Sequence, residues 1–521
     1  MDPIISFQVY KKQKKQLDDI SNDEKFYKKE EKWKLNRYYY DIIIPSINAF
    51  FDIETTGVNI DWFKVSEAEQ IFNKKIDDIK IKLASSFNID INSINWDSNE
   101  QVGNLLQKKN WPNYGLAKKG NYLVNDETLN YWKKDGYKEA NLLLDLHSLN
   151  TLMNTFVGNE KEGNGYWQYR YPDDKIYSNF GVMLTDSHRN YSRNPNFQNI
   201  VARGDYAEII RRYFCPPSKD YQIVSFDFSG FQLRIGCIYS GDKEMENVFK
   251  NLGGDLHSMS SSKILLNNKI SVEEFIIRKN EPEFDLMRFK AKGINFSLIF
   301  NTTAISFAEE SLIPNWKFEE IEKYLIENNL TNKPYTLHKS DISKDRNLDL
   351  KFCKYWTVAI DIKSKFFKTY PELKLWIDRS IKFAEEHGYV KSSFGAIRRT
   401  PQLLYQGDGK SRIIKELQNI SVNSPVQNYE VSISNSVIIE TQKWLKDNNK
   451  KSKIFGMTHD SIDMYVHNLE IKEIVLKLKE IAERDREEHK GIPIEIECKI
   501  SDYYGKNQVW GFGKKIKIKD L

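Results

Sequence analysis

Cysteine is scarce in this chain. There are four, Cys215, Cys237, Cys353 and Cys498, and no two are spaced as C-x-x-C. That arrangement argues against a zinc ribbon or a disulfide framework and makes a reducing compartment the default. No run approaches the roughly 18 consecutive apolar residues of a membrane span. The opening MDPIISFQVY has no basic stretch ahead of its apolar residues, so it does not read as a secretory signal. A cytoplasmic location without a membrane partner is therefore expected. No internal repeat of solenoid period is visible. A strong charge of one sign is also lacking: 78 Lys and Arg against 73 Asp and Glu leave a net charge of +5. That excess is too mild to indicate a nucleic-acid partner by itself. Lysines gather at 11, 12, 14 and 15 and again at 514, 515, 517 and 519, a pattern commoner in solvated faces and tails than in sites.

The 521 residues are too many for one compact core and suggest roughly three or four units. A 40% apolar and 29% charged composition is that of a folded chain. The 28 tyrosines and 29 phenylalanines supply cores and flat surfaces on which bases could stack. Residues 1–44 are rich in Lys, Glu and Tyr and read as helical. Apolar residues at helical spacing predict a long amphipathic helix over 65–85 and a second over 138–157 that stops near Gly158. Between them, 88–135 is rich in Asn, Asp and Gly and reads as loops with short helices. The stretch 221–239 opens as an apolar strand carrying Asp227 at its end, and 285–309 reads as a helix. Residues 312–350 are polar and read as an insertion. IFGMTHDSIDMYV at 454–466 reads as two strands about a tight turn with His459 and Asp460 at the tip.

The chemistry is concentrated in two aspartates and one helix. A single Asp at a strand end is ordinarily a turn or cap residue. Asp227 and Asp460, each at such an end, form a divalent-metal site if their strands are neighbours, because Mg²⁺ binds through one or two carboxylates together with substrate phosphates. Two such ions would activate an attacking oxygen and stabilise a leaving one. In RFKAKGINFSLIF, Arg288, Lys292, Phe296 and Phe300 recur every four residues and share a helix face about 18 Å long. That face could offer two cations to a triphosphate and an aromatic ring to a base and sugar. The alternative is an amphipathic helix with core phenylalanines and solvated cations.

FDFSGFQLR resembles motif A (D-x-S-x-x-E-L-R) of the family A DNA polymerases. R-x3-K-x3-F-x3-F resembles motif B (R-x3-K-x3-F-x3-Y), and THDS resembles motif C (V-H-D-E). The likeness extends to SHRNYSRNPNFQNI at 187–200, DLH at 255–257, GYVKSSFGAIRRTP at 388–401 and NSPVQN at 423–428, all in family order. It implies an α+β fold shaped as a right hand, with a palm of antiparallel sheet and helical thumb and fingers. The thumb would cover 46–160, the palm 161–249 with 413–521, and the fingers 250–412 including the insertion, after an N-terminal helical extension at 1–45. The resemblance implies two Mg²⁺ ions, replaceable by Mn²⁺, on Asp227, Asp460 and the backbone carbonyl of Phe228. Arg288, Lys292, His257, Phe296, Phe300 and Gln232 would meet the deoxynucleoside triphosphate, with Lys292 also catalytic. Arg189, Gln198, Asn423, Gln427 and His459 would contact primer–template DNA, monitoring duplex shape rather than sequence.

Four departures stand out. Gln232 replaces the motif A glutamate, Phe300 the motif B tyrosine, Ser461 the motif C glutamate, and Asn301 a usual glycine. In the family pattern the motif A glutamate and motif B tyrosine hydrogen-bond and crowd the sugar 2′ position. Losing the hydroxyl alone would strand a buried carboxylate, so the paired change reads as compensating, with Gln232 kept as a steric gate. Single-subunit RNA polymerases also use H-D-S in motif C, which leaves an RNA-polymerase-like or ribonucleotide-permissive enzyme as one alternative. A catalytically inactive DNA-binding relative is another. FDIETTG at 51–57 resembles the first motif of DEDD-type 3′→5′ exonucleases, with Asp52 and Glu54 as its acids. NRYYYD at 36–41 fits the second motif but precedes it, so proofreading is not expected here. The expected enzyme is a primer-extending DNA polymerase of replication or repair, of a bacteriophage type lacking the exonuclease domain, acting in the host cytoplasm. A separately encoded exonuclease or a processivity factor would be compatible partners.

Overall fold

The structure, a computed structural model, describes residues 3–201, 204, 206–331, 350–405, 412–501, 510 and 513–515. Residues 332–349 of the expected insertion, together with Lys517 and Lys519, lie outside that set. The elements that position the site are, in chain order, α1 (Pro3–Asn22), α2 (Ile44–Thr56), α3 (Trp62–Phe87), α4 (Lys138–Leu152), β1 (Tyr221–Phe228), α5 (Phe231–Ser240), α6 (Leu256–Ser260) and α7 (Pro282–Leu298). There follow α8 (Leu350–Thr369), α9 (Pro371–His387), α10 (Arg412–Asp447), β2 (Lys453–Thr458), β3 (Ser461–His467), α11 (Ile471–Glu483), β4 (Ile496–Ser501) and β5 (Lys514–Lys515).

The five strands form one antiparallel sheet in the order β5-β4-β1-β3-β2. Alternate residues of a strand face opposite sides, and here the two sides feed two different cores. Val224, Phe226 and Phe228 of β1 and Ile462, Met464 and Val466 of β3 join the larger core, which includes residues of α5, α7, α9, α10 and α11. Ile223, Phe455 and Tyr465 turn the other way into a second core built largely from α3, α4 and residues 197–214. Ser225 and Asp463 pair across the sheet on this second side. Asp227, two residues beyond Ser225, shares that side.

Local chemistry sets the helix ends. Asp61 caps α3 by accepting the Lys64 amide, and Asn88 closes it with φ of 51°. Trp62, Val65, Ala68, Phe72 and Ile76 form the buried stripe that the spacing over 65–85 predicts. After α4 a single wide turn, Met153–Val157, carries the chain to Gly158. There φ is 76° and a Cβ would come within 2.1 Å of the Asn164 carbonyl oxygen, so only glycine fits.

Two expectations need correction. The helix predicted over 285–309 ends at Leu298, because Asn301 adopts φ of 57° and turns the chain before a second helical stretch begins at Ala304. Phe300 therefore lies beyond the regular helix. The described part of 312–350 packs inward: Leu312, Trp316, Ile321, Tyr324, Leu325 and Leu330 are buried in the larger core. Its polar composition belongs to the outer face of the amphipathic helix Phe318–Glu327. The first 44 residues are helical only in part, since 23–34 contain no regular helix. That stretch is nevertheless fastened to the body of the protein. Buried Tyr27 donates to the Gly395 carbonyl, and the Trp33 indole donates to Glu488 at 2.6 Å. Among the described residues, no helix is long and apolar enough to cross a membrane.

Candidate active site

β1 runs as an apolar strand to Phe228, and Gly230, at φ 59°, starts α5. β2 and β3 are joined by a two-residue turn, His459 and Asp460, between paired Thr458 and Ser461. His459 takes the left-handed φ of 59° that this turn requires. Because Phe226 pairs with Ile462, Asp227 and Asp460 emerge at the same end of adjacent strands. Asp460 sits in the field of Asp227. Burial, then Glu430, then Asp227 push the Asp460 carboxyl up to about 7. Burial likewise raises Asp227, opposed by Lys499 and by Lys292. Two partly buried carboxylates with raised pKa values at one point are an unfavourable arrangement unless positive charge is supplied there.

A third acid, missed from the sequence, lies deeper in the sheet. Asp463 is fully buried and accepts from Ser225 at 2.5 Å and from the Trp510 indole at 2.9 Å, while its Oδ2 has no hydrogen-bond partner. Burial raises its pKa. A charged residue at an inward-facing strand position was the available signal.

Positive charge reaches Asp227 first from Lys499 on β4, then from Lys292 on α7 and Lys515 on β5; α7 also carries Arg288. Arg288 donates through Nε to both oxygens of Asp255, at 3.1 and 2.9 Å. Burial pushes Asp255 upward, but the hydrogen bond and charge of Arg288, with help from Ser258 and Lys279, bring it below the usual carboxylate range. Asp255 also caps α6, so it fixes Arg288 and His257 together. His257 is buried, and its Nδ1 lies 2.9 Å from the Asn295 amide nitrogen. The Ser260 hydroxyl donates to the Asn295 carbonyl oxygen, which turns the amide nitrogen toward His257 and leaves the imidazole proton on Nε2. Burial, then Arg288, lower the His257 pKa to about 4. The Phe296 ring centroid is 5.8 Å from that of His257, and Lys292 Nζ is 5.9 Å from the Phe296 ring. A cavity of ≈ 500 Å³ opens beside Lys292, Gly293 and Phe296. Arg288, Lys292 and Phe296 thus share one helical face, whereas Phe300 packs against the larger core from the turn after it.

The residues expected at DNA fall into two groups. Gln198 is buried and both ends of its amide are occupied: Nε2 donates to the Met457 carbonyl at 2.8 Å, and Oε1 accepts the His459 amide at 2.6 Å. It splints the turn that carries Asp460. Asn423 and Gln427 lie one turn apart on α10 and are half-buried, with Asn423 Oδ1 lacking a partner. His459 is exposed as a residue, and partial desolvation followed by the charge of Arg189 lowers its pKa. Arg189 donates to Glu430 at 2.8 Å, and Gln232 donates to the same carboxylate at 3.1 and 3.3 Å. Glu430 escaped the sequence reading, although its position three residues after Gln427 on α10 places it on the same face.

Asp52 and Glu54 do not converge on a shared point. Two residues apart on α2, they face different ways. Asp52 pairs with Lys446 at 2.5 Å, and Glu54 accepts the Phe180 amide at 2.5 Å.

Comparison with known proteins gives this geometry a lineage. DNA polymerase I of Caldicellulosiruptor bescii is 26% identical over 469 residues, covering 88% of this chain and 46% of the relative. The thermostable DNA polymerase I of Thermus thermophilus is 21% identical over 472 residues, covering 90% and 48% respectively. The chain therefore spans less than half the length of these relatives. Among solved structures, the POL domain of Pol1 from M. smegmatis, in complex with DNA primer–template and dNTP, superposes with a TM-score of 0.68 at 19% identity. That match covers 91% of this chain and 70% of the other, and the two share a mixed α+β polymerase fold. The model of the family described as DNA polymerase family A matches residues 64–329 and 347–506, most of the sequence, and the chain belongs to that family.

Proposed function

We propose that this chain is a template-directed DNA polymerase that extends a primer 3′ end with deoxynucleoside triphosphates. The observation that carries the reading is the meeting of Asp227 and Asp460 at one end of neighbouring strands, with Lys499 and the α7 cation Lys292 acting on Asp227. The donor set fits Mg²⁺: oxygen-only, carboxylate-based and short of positive charge. Asp227, Asp460 and the Phe228 carbonyl would hold two such ions, with Mn²⁺ able to replace them. When bound, the metal supplies Lewis acidity to the attacking and leaving oxygens of nucleotidyl transfer.

The protein's own groups do the rest. Lys292 and Arg288 bind the triphosphate, where fixed positive charge offsets the charge that develops as pyrophosphate leaves. Lys292, exposed on its helix face, can follow the phosphates as they move. The Nη groups of Arg288 are aimed by its Nε contact with Asp255. His257 presents its Nε2 proton as a neutral donor. Phe296 packs beside the sugar and base, while Gln232, followed by Phe300, bounds the sugar pocket. Arg189, Asn423, Gln427 and His459 lie along the primer end and template, and Gln198 acts there by holding the His459–Asp460 turn. The hand is divided into a thumb at about 46–160, a palm at 161–249 with 413–521, and fingers at 250–412. Asp52 and Glu54 take no part in 3′ end removal, being engaged with Lys446 and the Phe180 amide.

Primer extension with dNTPs and NTPs in parallel, with and without Mg²⁺, tests the function. Metal-dependent extension with dNTPs, abolished in Asp227→Ala, is the expected result. Extension with NTPs at equal efficiency would favour an RNA-polymerase-like or ribonucleotide-permissive enzyme. DNA binding without extension would leave an inactive relative. Degradation of a mismatched 3′ end that disappears in Asp52→Ala would overturn the proofreading statement.

A further inference from the structure

Glu430 is a buried carboxylate, 7% exposed, in the interior of α10. It joins three parts of the candidate site. Gln232, in the first turn of the α5 helix that follows Asp227 and Phe228, donates its amide to both carboxylate oxygens at 3.1 and 3.3 Å. Arg189 donates to Oε2 at 2.8 Å. The charge of Glu430 also reaches Asp460 on the facing turn. Such a group costs several kcal/mol to bury unless each lone pair is used, and its partners are two of the residues assigned to the sugar pocket and the primer end.

The position matters because of what is missing around it. Gln232 stands where the family pattern has a carboxylate, and Phe300 where that pattern has the hydroxyl that would anchor it. An amide, unlike a carboxylate, has two chemically different ends, so something must decide which one faces the sugar. Glu430 accepts only, which commits Gln232 Nε2 to it and turns Oε1 the other way. We propose that Glu430 is the positioning residue of the sugar gate: it holds Gln232 against the incoming sugar and Arg189 toward the primer end. The carboxylate–partner pair of the family pattern is thus rebuilt across a different helix, with the charge moved from residue 232 to residue 430. This rests on the polymerase reading above.

The test exchanges the two groups. Gln232→Glu restores the family residue but sets a second carboxylate against Glu430 in place of the amide donor. It should lower dNTP extension at least tenfold at pH 8. The swap Gln232→Glu with Glu430→Gln, which rebuilds the pair in reverse, should recover most of that loss. Glu430→Ala should reduce the ratio of dNTP to NTP incorporation efficiency at least tenfold. Combining it with Gln232→Ala should lower the ratio no further than Gln232→Ala alone. The ratio is internal to each protein, so a merely structural defect would scale both substrates together and leave it unmoved. A fully active Gln232→Glu, a swap that recovers nothing, or losses in the ratio that multiply in the double variant would each overturn the proposal. Failure of the unsubstituted protein to extend a primer with dNTPs would instead remove the polymerase reading itself.

Discussion

If Asp227 and Asp460 are placed for metal, removing one charge should stabilise the metal-free protein while destroying its activity. In Asp460→Asn the acid is replaced by an isosteric neutral amide. The folded protein moves this carboxyl from its ordinary 3.8 to about 7, which corresponds to about 4 kcal/mol at ~1.4 kcal/mol per pH unit. Water and salt reach this half-buried turn, and halving the figure for screening leaves about 2 kcal/mol. The sign follows from proton binding. Between 3.8 and about 7 the folded state keeps a proton that the unfolded chain has released, so stability falls as pH rises through that window. The penalty is complete above about 7 and nearly gone at the acid end. Urea unfolding in EDTA should therefore find Asp460→Asn more stable than the parent by about 2 kcal/mol at pH 8 and by under about 1 kcal/mol at pH 5. Millimolar Mg²⁺ should stabilise the parent and leave Asp460→Asn nearly unchanged, narrowing the gap. Equal stability at pH 8, or the same gap at both pH values, would refute the electrostatic argument. Retained activity in the variant would remove Asp460 from the chemistry.

Three further outcomes follow from single contacts. Arg288→Ala removes a charge-assisted hydrogen bond and leaves buried Asp255 with Lys279 as its cation and Ser258 as a neutral donor. The apparent KM for dNTP should rise about tenfold, by steady-state primer extension, and Arg288→Lys should recover only part of it. Gln198→Ala orphans the Met457 carbonyl and the His459 amide, costing about 2 kcal/mol in urea unfolding. Because the turn carrying Asp460 loosens, kcat should fall more than KM changes. His489, buried beside the Tyr429 hydroxyl at 2.7 Å, is lowered from 6.5 to about 4, first by burial and then by Arg486. Here the unfolded chain takes up the proton first, so stability is lost as pH falls from 6.5 toward 4, by up to about 3 kcal/mol. His489→Gln should flatten that part of the pH–stability curve, and an unchanged slope would count against the assignment.

What could be read from the sequence was whatever local chemistry determines. The β2–β3 hairpin was legible because apolar alternation brackets a two-residue turn, and the turn itself delivers Asp460. The cationic face of α7 was legible from its four-residue spacing, whereas its end was not. Periodicity continues through Phe300, but the left-handed Asn301 stops the helix first, and backbone conformation at one residue leaves no trace in a spacing pattern. Long-range partners were invisible for a different reason. Tyr27 reads as one more tyrosine in a lysine-rich stretch until Gly395, 368 residues away, accepts its hydroxyl. Gln198 looked like a DNA contact by resemblance, and its commitment to the motif C turn depends on residues 259 and 261 positions later.

Glu430 and Asp463 share a deeper reason for having been missed. On a helix or strand, a lone carboxylate ordinarily marks the solvated side. Both are buried here because each finds donors on another element, Gln232 and Arg189 for one, Ser225 and Trp510 for the other. Together with Asp227, Asp460 and Glu497, which pairs with Asp227 across the sheet, they make five acids around one end of a five-stranded sheet. Lys499, Lys292, Lys515 and Arg189 offset part of that charge, and Arg211 acts on Asp463. A sheet selected for stability alone would not gather acids in this way, since apolar residues of similar volume would serve better. The concentration makes sense if the missing positive charge arrives with the substrate and its cations. The same surplus of negative charge then explains why the metal-free protein should gain stability, and lose function, from a single Asp460→Asn substitution.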